Sequence, residues 1–228
     1  MNQALGIIAA LPGELAPLVR GWTKLPRRGT TQAWQAPGSA RTCVAVCSGM
    51  GSGAATRSFA ALREWISPNK VVSVGWAGAL SSELGIGSIC RPGCIVEERT
   101  GERFAVPGNG PVLVTLDLVA NEREKRRLHA AYGAIAVDME AATLARLAAA
   151  AGYGFGCIKA ISDKADAVLP DLNPYVTAGG QFAMTRFVGH ILPRPQHWAA
   201  LVRFGRNASL AAEKLSRAIQ EDLGVSPV

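Results

Sequence analysis

The sequence predicts an α/β protein: a single domain of three layers, with helices on both faces of a central mixed, mostly parallel sheet. Two observations lead there. Short apolar runs alternate with segments of helical composition along most of the chain. Glycine-rich turns follow directly on several of those runs. The length of 228 residues, 49% of them hydrophobic, suits one large core.

Taken in order, Leu5 to Leu11 reads as a buried strand, stopped by Pro12-Gly13 and followed by a short helix from Glu14 to Val19. Thr42 to Cys47 is a second strand, closed by Ser48-Gly49-Met50-Gly51-Ser52-Gly53, after which Ala54 to Trp65 has helical composition. Lys70 to Val74 is a third strand, running into a turn at Gly75-Trp76-Ala77-Gly78-Ala79. Ser88 to Glu97 and Val112 to Leu116 read as strands, and Asn121 to Ala131 as a helix. Ala134 to Val137 is a further strand, Met139 to Ala151 an alanine-rich helix, and Gly154 to Ile161 the last clear strand. No internal repeat or low-complexity linker divides the chain. Residues 1–228 therefore form one domain, with 182–220 as an amphipathic C-terminal helical extension.

Composition excludes several classes. No secretory signal is evident, because Met1-Asn2-Gln3 lacks a positive start and Pro12-Gly13-Glu14 cuts the first apolar run short. The apolar stretches meet Gly, Ser or charge before the roughly 18–20 residues of a spanning helix. A cytoplasmic enzyme is the expectation. The net charge of +7 suggests nucleic acid, yet the basic residues are scattered and few aromatics interleave with them, so no nucleic-acid partner is expected. Arg123-Glu124-Lys125-Arg126-Arg127 reads as a solvated helix face of mixed charge. Cys43 and Cys47 share a spacing of four with Cys90 and Cys94, but Cys43-Val44-Ala45-Val46-Cys47 reads as strand, unlike a zinc knuckle. All five cysteines, with Cys157, are read as buried reduced thiols, and no metal is expected. His129, His190 and His197 do not cluster with the acids.

The stretch richest in chemistry is Ala136-Val137-Asp138-Met139-Glu140-Ala141-Ala142, followed later by Ala160-Ile161-Ser162-Asp163. Each puts a carboxylate at the C-terminal end of a short apolar run, and in open α/β folds ligands sit outside those ends. Each acid also has a plainer reading. Asp163 would cap a helix well, Glu140 suits a first helical turn, and Asp138 suits an N-cap better still. The Ser48–Gly53 turn fits either a tight strand-to-helix connection or a loop whose exposed amides favour an anion. Its glycines do not match Gly-x-Gly-x-x-Gly, and no P-loop lysine follows.

Five segments in order, Gly6-Ile7-Ile8, Ser48-Gly49-Met50-Gly51, Gly75-Trp76-Ala77-Gly78, Val137-Asp138-Met139-Glu140-Ala141 and Ile161-Ser162-Asp163, resemble the nucleoside phosphorylase / methylthioadenosine–adenosylhomocysteine nucleosidase superfamily. The last two are the specific ones, and the resemblance runs from about Gly6 to Asp166. It implies cleavage of the N-glycosidic bond of a 5′-substituted adenosine, releasing adenine. Such cleavage leaves an oxocarbenium-like ribose and a base that needs a proton, which a buried carboxylic acid can supply. The resemblance makes Asp163 that acid, oriented by Ser162, and Glu140 an ionised acceptor for the ribose hydroxyls beside the developing cation. Glu14 aligns with the glutamate that activates water in hydrolytic members. Met139, Trp76, Ala77, Gly78, Ser48 and Gly49 fall to the substrate. Asp138 stands where members commonly carry a second glutamate, and Trp76 where nucleosidases carry a small residue.

Phosphorolytic relatives of the hexameric type carry an arginine just before the Gly-x-x-Gly turn; Ser73 stands there, which favours water. Phosphate stays open as a co-substrate through Arg20, Arg27, Arg28, Arg57 or the loop amides, and no other cofactor is expected. The tail from Arg186 to Arg206 alternates large apolar residues with arginines around Trp198, which suits an interfacial helix or an amphipathic helix packed on the domain. The tail and Gly-Trp-Ala-Gly resemble the hopanoid-associated phosphorylases, which are placed at adenosylhopane. The expected partners are a small nucleoside, a second copy in a homodimer, and peripheral membrane contact through the C-terminal helix. The alternative function is a non-catalytic nucleoside-binding or membrane-peripheral protein.

Overall fold

The computed structural model describes residues 4–38, 42–167, 173–175, 177, 180, 183 and 198–225. Its centre is a five-residue strand, β1 (Leu5–Ala9), in which every residue is buried. β4 (Cys43–Cys47) lies parallel on one side of it and β5 (Lys70–Ala79) parallel on the other. On the β4 side, β3 (Gln32–Gln35) and β2 (Thr23–Lys24) add antiparallel edges. Beyond β5 come β10 (Ala136–Asp138), β9 (Val112–Thr115), β7 (Cys94–Glu97) and β8 (Arg103–Ala105). β11 (Gly154–Asp163) runs parallel along the whole of β5, from Gly154 opposite Lys70 to Asp163 opposite Gly78, and carries the short β6 (Ile89–Cys90). The long pairings are parallel; the antiparallel ones are short.

Helices cover both faces, which is why the inner strands are apolar at every position instead of alternating. On one face Ile8, Val44 and Val71 meet Phe59 and Leu62 of α2 (Ser52–Trp65) and Leu144 and Ala148 of α4 (Ala141–Ala150). On the other, Leu5, Ile7 and Val72 meet Leu15 of α1 (Pro12–Leu15) and Ala211, Leu215 and Ile219 of α5 (Trp198–Leu223). α3 (Glu122–Tyr132) lays Leu128 on Val96, Val114 and Val137. Asn121 caps α3 by accepting from the Glu124 amide, and Gly133 ends it in the left-handed conformation.

The structure corrects four readings of the sequence. Gly75 to Ala79 is not a turn: β5 continues through it, because Gly75, at φ +136°, bends the strand without breaking the β11 ladder. Ser88 to Glu97 is not one strand, since Pro92-Gly93 divides it into β6 and β7. The first helix runs Pro12–Leu15, starting on the proline rather than at Glu14. The hairpin strands β2, β3 and β8 carry too little apolar pattern to have been found.

C-terminal to the Arg186–Arg206 tail, α5 from Ala208 to Leu223 turns its apolar side into the core. Val202, Arg203 and Arg206 are exposed. The rest of the 182–220 extension, residue 182 and residues 184–197, lies outside the described residues, as do the side chains of 198–201 and with them the proposed Trp198 centre. Among the described residues no helix is long and apolar enough to cross a membrane. Four of the five cysteines are buried, and Cys94 is half-buried. Burial pushes the Cys47 thiol up to about 12 and the Cys90 thiol up to about 11, which keeps both in the unreactive form.

Candidate active site

A gap in the sheet makes the site. β5 pairs with β1 only as far as Ser73, and the same edge next meets β10 at Gly78. Between them Val74 to Ala77 have no strand beside them, and Glu14 fills the space. Its Oε1 accepts the Trp76 amide at 2.8 Å, and its Oε2 accepts those of Ala10 and Leu11, each at 2.8 Å. A side chain at Gly75 would bring its Cβ within 2.7 Å of Glu14 Oε1, so only glycine leaves room for the carboxylate. Burial raises the Glu14 carboxyl above the ordinary range, while the three amides and Lys159 pull it back.

Asp138 ends β10 and faces inward. Its Oδ1 accepts from Thr115 Oγ1 at 2.7 Å and its Oδ2 from the Ala141 amide at 2.9 Å, so it holds the start of α4 as the sequence suggested. Lys159 of β11 reaches the same Oδ2 at 2.8 Å. Both are almost wholly buried. Glu140, released from capping, turns to the glycine loop, where its Oε1 accepts the Gly51 amide at 2.7 Å. Met139 lies against Gly51 too: its Cε is 4.0 Å from where a Cβ on that glycine would sit.

Glu14, Asp138 and Glu140 thus share one buried ammonium, Lys159. Burial, with Asp138 and Glu14 adding to it and Lys159 opposing it, pushes the Glu140 carboxyl up to about 8. Burial thus favours the protonated form of Glu140, where the resemblance implies an ionised acceptor. The folded protein then holds a proton that the unfolded chain releases above the ordinary carboxylate range, so stability falls as pH rises towards 8. Glu140→Gln abolishes that dependence. Its melting temperature is expected to exceed the wild type's at pH 8.5 and to match it at pH 5. A wild type more stable than the variant at pH 8.5 contradicts this.

Asp163 ends β11 opposite Gly78, and Val137 of β10 flanks Gly78 on its other side. The ends carrying Met139-Glu140 and Ser162-Asp163 therefore converge on one residue of β5. Ser162 Oγ donates to Asp163 Oδ1 at 2.7 Å and approaches the Ala77 carbonyl at 3.4 Å. The Lys125 ammonium of α3 donates to Asp163 Oδ2, and to the Lys164 carbonyl at 2.6 Å. Gly78 is small for a reason: a Cβ there would meet Asp163 Oδ2 at 3.0 Å and Lys125 Cε at 3.3 Å.

The glycine loop is less open than its sequence suggests. The Gly49 amide donates to the Ala10 carbonyl at 2.9 Å, Met50 to Gly180 at 2.7 Å, and Gly51 to Glu140. Three amides that might have held an anion are thus engaged within the protein. Ser48 turns its hydroxyl to Thr31, 2.6 Å away, instead of to the carboxylates. Trp76 is half-buried over Gly13, and its indole nitrogen finds no acceptor among the described residues. Ser73 is wholly buried in the sheet opposite Cys157. Arg28 pairs with Glu64 at 3.1 Å and, with Arg57 and Thr31, lines a separate cleft of about 390 Å³ that none of the carboxylates borders. His129 is bound to the Ala134 carbonyl, and His190 and His197 lie outside the described residues. Among the described residues no group of acids, histidines and cysteines could hold a metal ion.

Sequence reasoning missed both lysines. Lys159 left a signal, as the one charge inside the apolar run Gly154 to Ile161. Lys125 lay hidden in a basic cluster, though it shares the helix face of Leu128, three residues on.

Comparison with known proteins agrees with this fold. A family model described as the phosphorylase superfamily matches residues 4–109 and 93–177. No curated protein sequence matches the chain. Solved structures with the same fold include the Arabidopsis thaliana 5′-methylthioadenosine nucleosidase in apo form, at TM-score 0.75 and 15% identity, covering 98% of this chain and 95% of that one. The S-adenosylhomocysteine nucleosidase of Streptococcus pyogenes, complexed with 5-methylthiotubericidin, matches at TM-score 0.73 and 20% identity over 100% and 98%. Futalosine hydrolase of Helicobacter pylori matches at TM-score 0.73 and 16% identity over 97% of each chain.

Proposed function

The chain belongs to the phosphorylase superfamily, and from that premise we propose that it releases adenine from a 5′-substituted adenosine by cleaving the N-glycosidic bond. One observation carries the reading: acids from the ends of β10 and β11 converge across Gly78, beside a third acid, Glu14, held in the gap of the sheet. Asp163 gives its proton to the departing base. Glu140 takes hydrogen bonds from the ribose hydroxyls, and the cationic sugar that develops beside it favours its ionised form. Glu14, fixed by three amides, orients the attacking water and takes its proton.

Water is the better-supported nucleophile. The loop amides at 49 to 51 are engaged, Ser73 is buried, and Arg28 and Arg57 border a different cleft. The 5′ substituent is apolar in this reading, because Trp76 packs with the Leu15 and Leu18 cluster on the face covered by α5. Adenosylhopane is one nucleoside of that kind. The assay offers methylthioadenosine, adenosylhomocysteine and a long-chain apolar adenosine, each with and without phosphate, and measures adenine and ribose 1-phosphate. Adenine from the apolar nucleoside without phosphate is the expected result. Binding without release of base would assign the protein to nucleoside binding, and phosphate-dependent release would replace water by phosphate. A homodimer and peripheral membrane contact through the C-terminal helix belong to the same proposal.

A further inference from the structure

We propose that Lys125 is a positioning residue for Asp163, holding the acid towards the leaving base and balancing the charge it acquires when its proton departs. This rests on the reading of Asp163 as the acid. Lys125 is the sole lysine of α3, and it is buried at 1% exposure while the arginines around it are not. Arg126 pairs with Glu122, and Arg127 with Glu124 and Glu98, all at the surface. Lys125 instead crosses the space above Gly78 to Asp163 Oδ2, while its second donor goes to the Lys164 carbonyl. With Ser162 on Oδ1, the carboxyl group is gripped at both oxygens.

The other charges on the surrounding elements point elsewhere. Lys159 of β11 and Asp138 of β10 pair with each other, and Lys164 and Asp166, next along the chain, are exposed. β5 contributes only Gly78 here. Among the described residues Lys125 is therefore the charged group paired with Asp163. As the bond from the sugar C1′ to the base nitrogen breaks, its electron pair leaves with the base, and the Asp163 proton goes to a ring nitrogen of that base. Asp163 becomes a carboxylate, already paired with an ammonium in a site with little water. The water that attacks C1′ gives up its proton to Glu14, and solvent restores the proton of Asp163. The ammonium lies against the carboxylate that the transfer leaves behind and stabilises it.

Lys125→Met, close in length and without charge, separates this role from a merely structural one. The expected result is a kcat lower by about 10- to 100-fold with KM within about threefold, and an alkaline limb of kcat moved to higher pH by about one unit or more. Lys125→Arg, which keeps the charge, restores the limb to the wild-type position. Lys125→Gln gives the same reading as Met if Met does not fold at a buried site. A loss of kcat with the limb unmoved in the neutral variants makes Lys125 a structural prop and overturns the proposal, as does unchanged activity. Carbon-13 titration of the Asp163 carboxyl, assigned with Asp163→Asn, tests the coupling without any substrate. If the wild type releases no base from any nucleoside, the proposed function fails. An Asp163 titration that ignores the neutral Lys125 variants sinks the present inference instead.

Discussion

Asp163→Asn is expected to cut adenine release by roughly 10³-fold, within the range that a lost general acid costs. The amide keeps the shape, but it offers one acceptor oxygen where Lys125 and Ser162 address two, and it has no proton of suitable acidity for the base. Binding of an unreactive adenosine analogue should survive within a few-fold, because ribose and nucleophile contacts belong to Glu140 and Glu14. Rapid-quench measurement of adenine, with saturation checked by calorimetry, separates lost chemistry from lost binding. Turnover within threefold of the wild type removes Asp163 from the reaction.

Lys159→Met should have the largest effect on stability. Burial opposes the Lys159 charge, but Asp138 and its neighbours outweigh that and hold the ammonium above its ordinary range. Its contribution is therefore complete through neutral pH and fades only under strongly alkaline conditions. Methionine leaves Asp138, which has essentially no exposed side-chain surface, without its counter-charge and removes the cation that Glu14 and Glu140 share. Stripping one partner from a buried pair costs about 3–5 kcal/mol, a large part of a typical domain's stability. Adding Asp138→Asn should recover much of that loss, since the double variant buries no unpaired charge there. Urea unfolding of both single variants and the double one completes the cycle. Additive effects would show that the pair is not what Lys159 supplies.

Much of the fold is legible in local pattern. β1 and β4 are continuous apolar runs, and β5 and β11 are such runs interrupted by Ser73 and Lys159, because a strand buried on both faces has no polar side to alternate. Glu140 and Asp163 stand where those runs stop, and a carboxylate at a strand end is a local fact. Asp138 is too, since a cap needs only the residues that follow it. The hairpin strands are different. β3 has one fully buried residue of four, and its pairing with β4 is decided by the partner.

The sequence by itself determined the order of strands and helices, the glycines that let chain segments approach closely, and the acids delivered to one end of the sheet. Periodicity, turn chemistry and capping all act within a few residues, so a single strand of text records them. The tertiary structure alone decided which cation answers which acid: Lys125 meets Asp163 from 38 residues away, and Lys159 crosses from β11 to Asp138 on β10. It also decided that burial raises the Glu140 carboxyl, and that β5 runs on through Gly75 around Glu14. Burial and Coulomb attraction depend on what folding brings near, and nothing in the local order of residues encodes that distance.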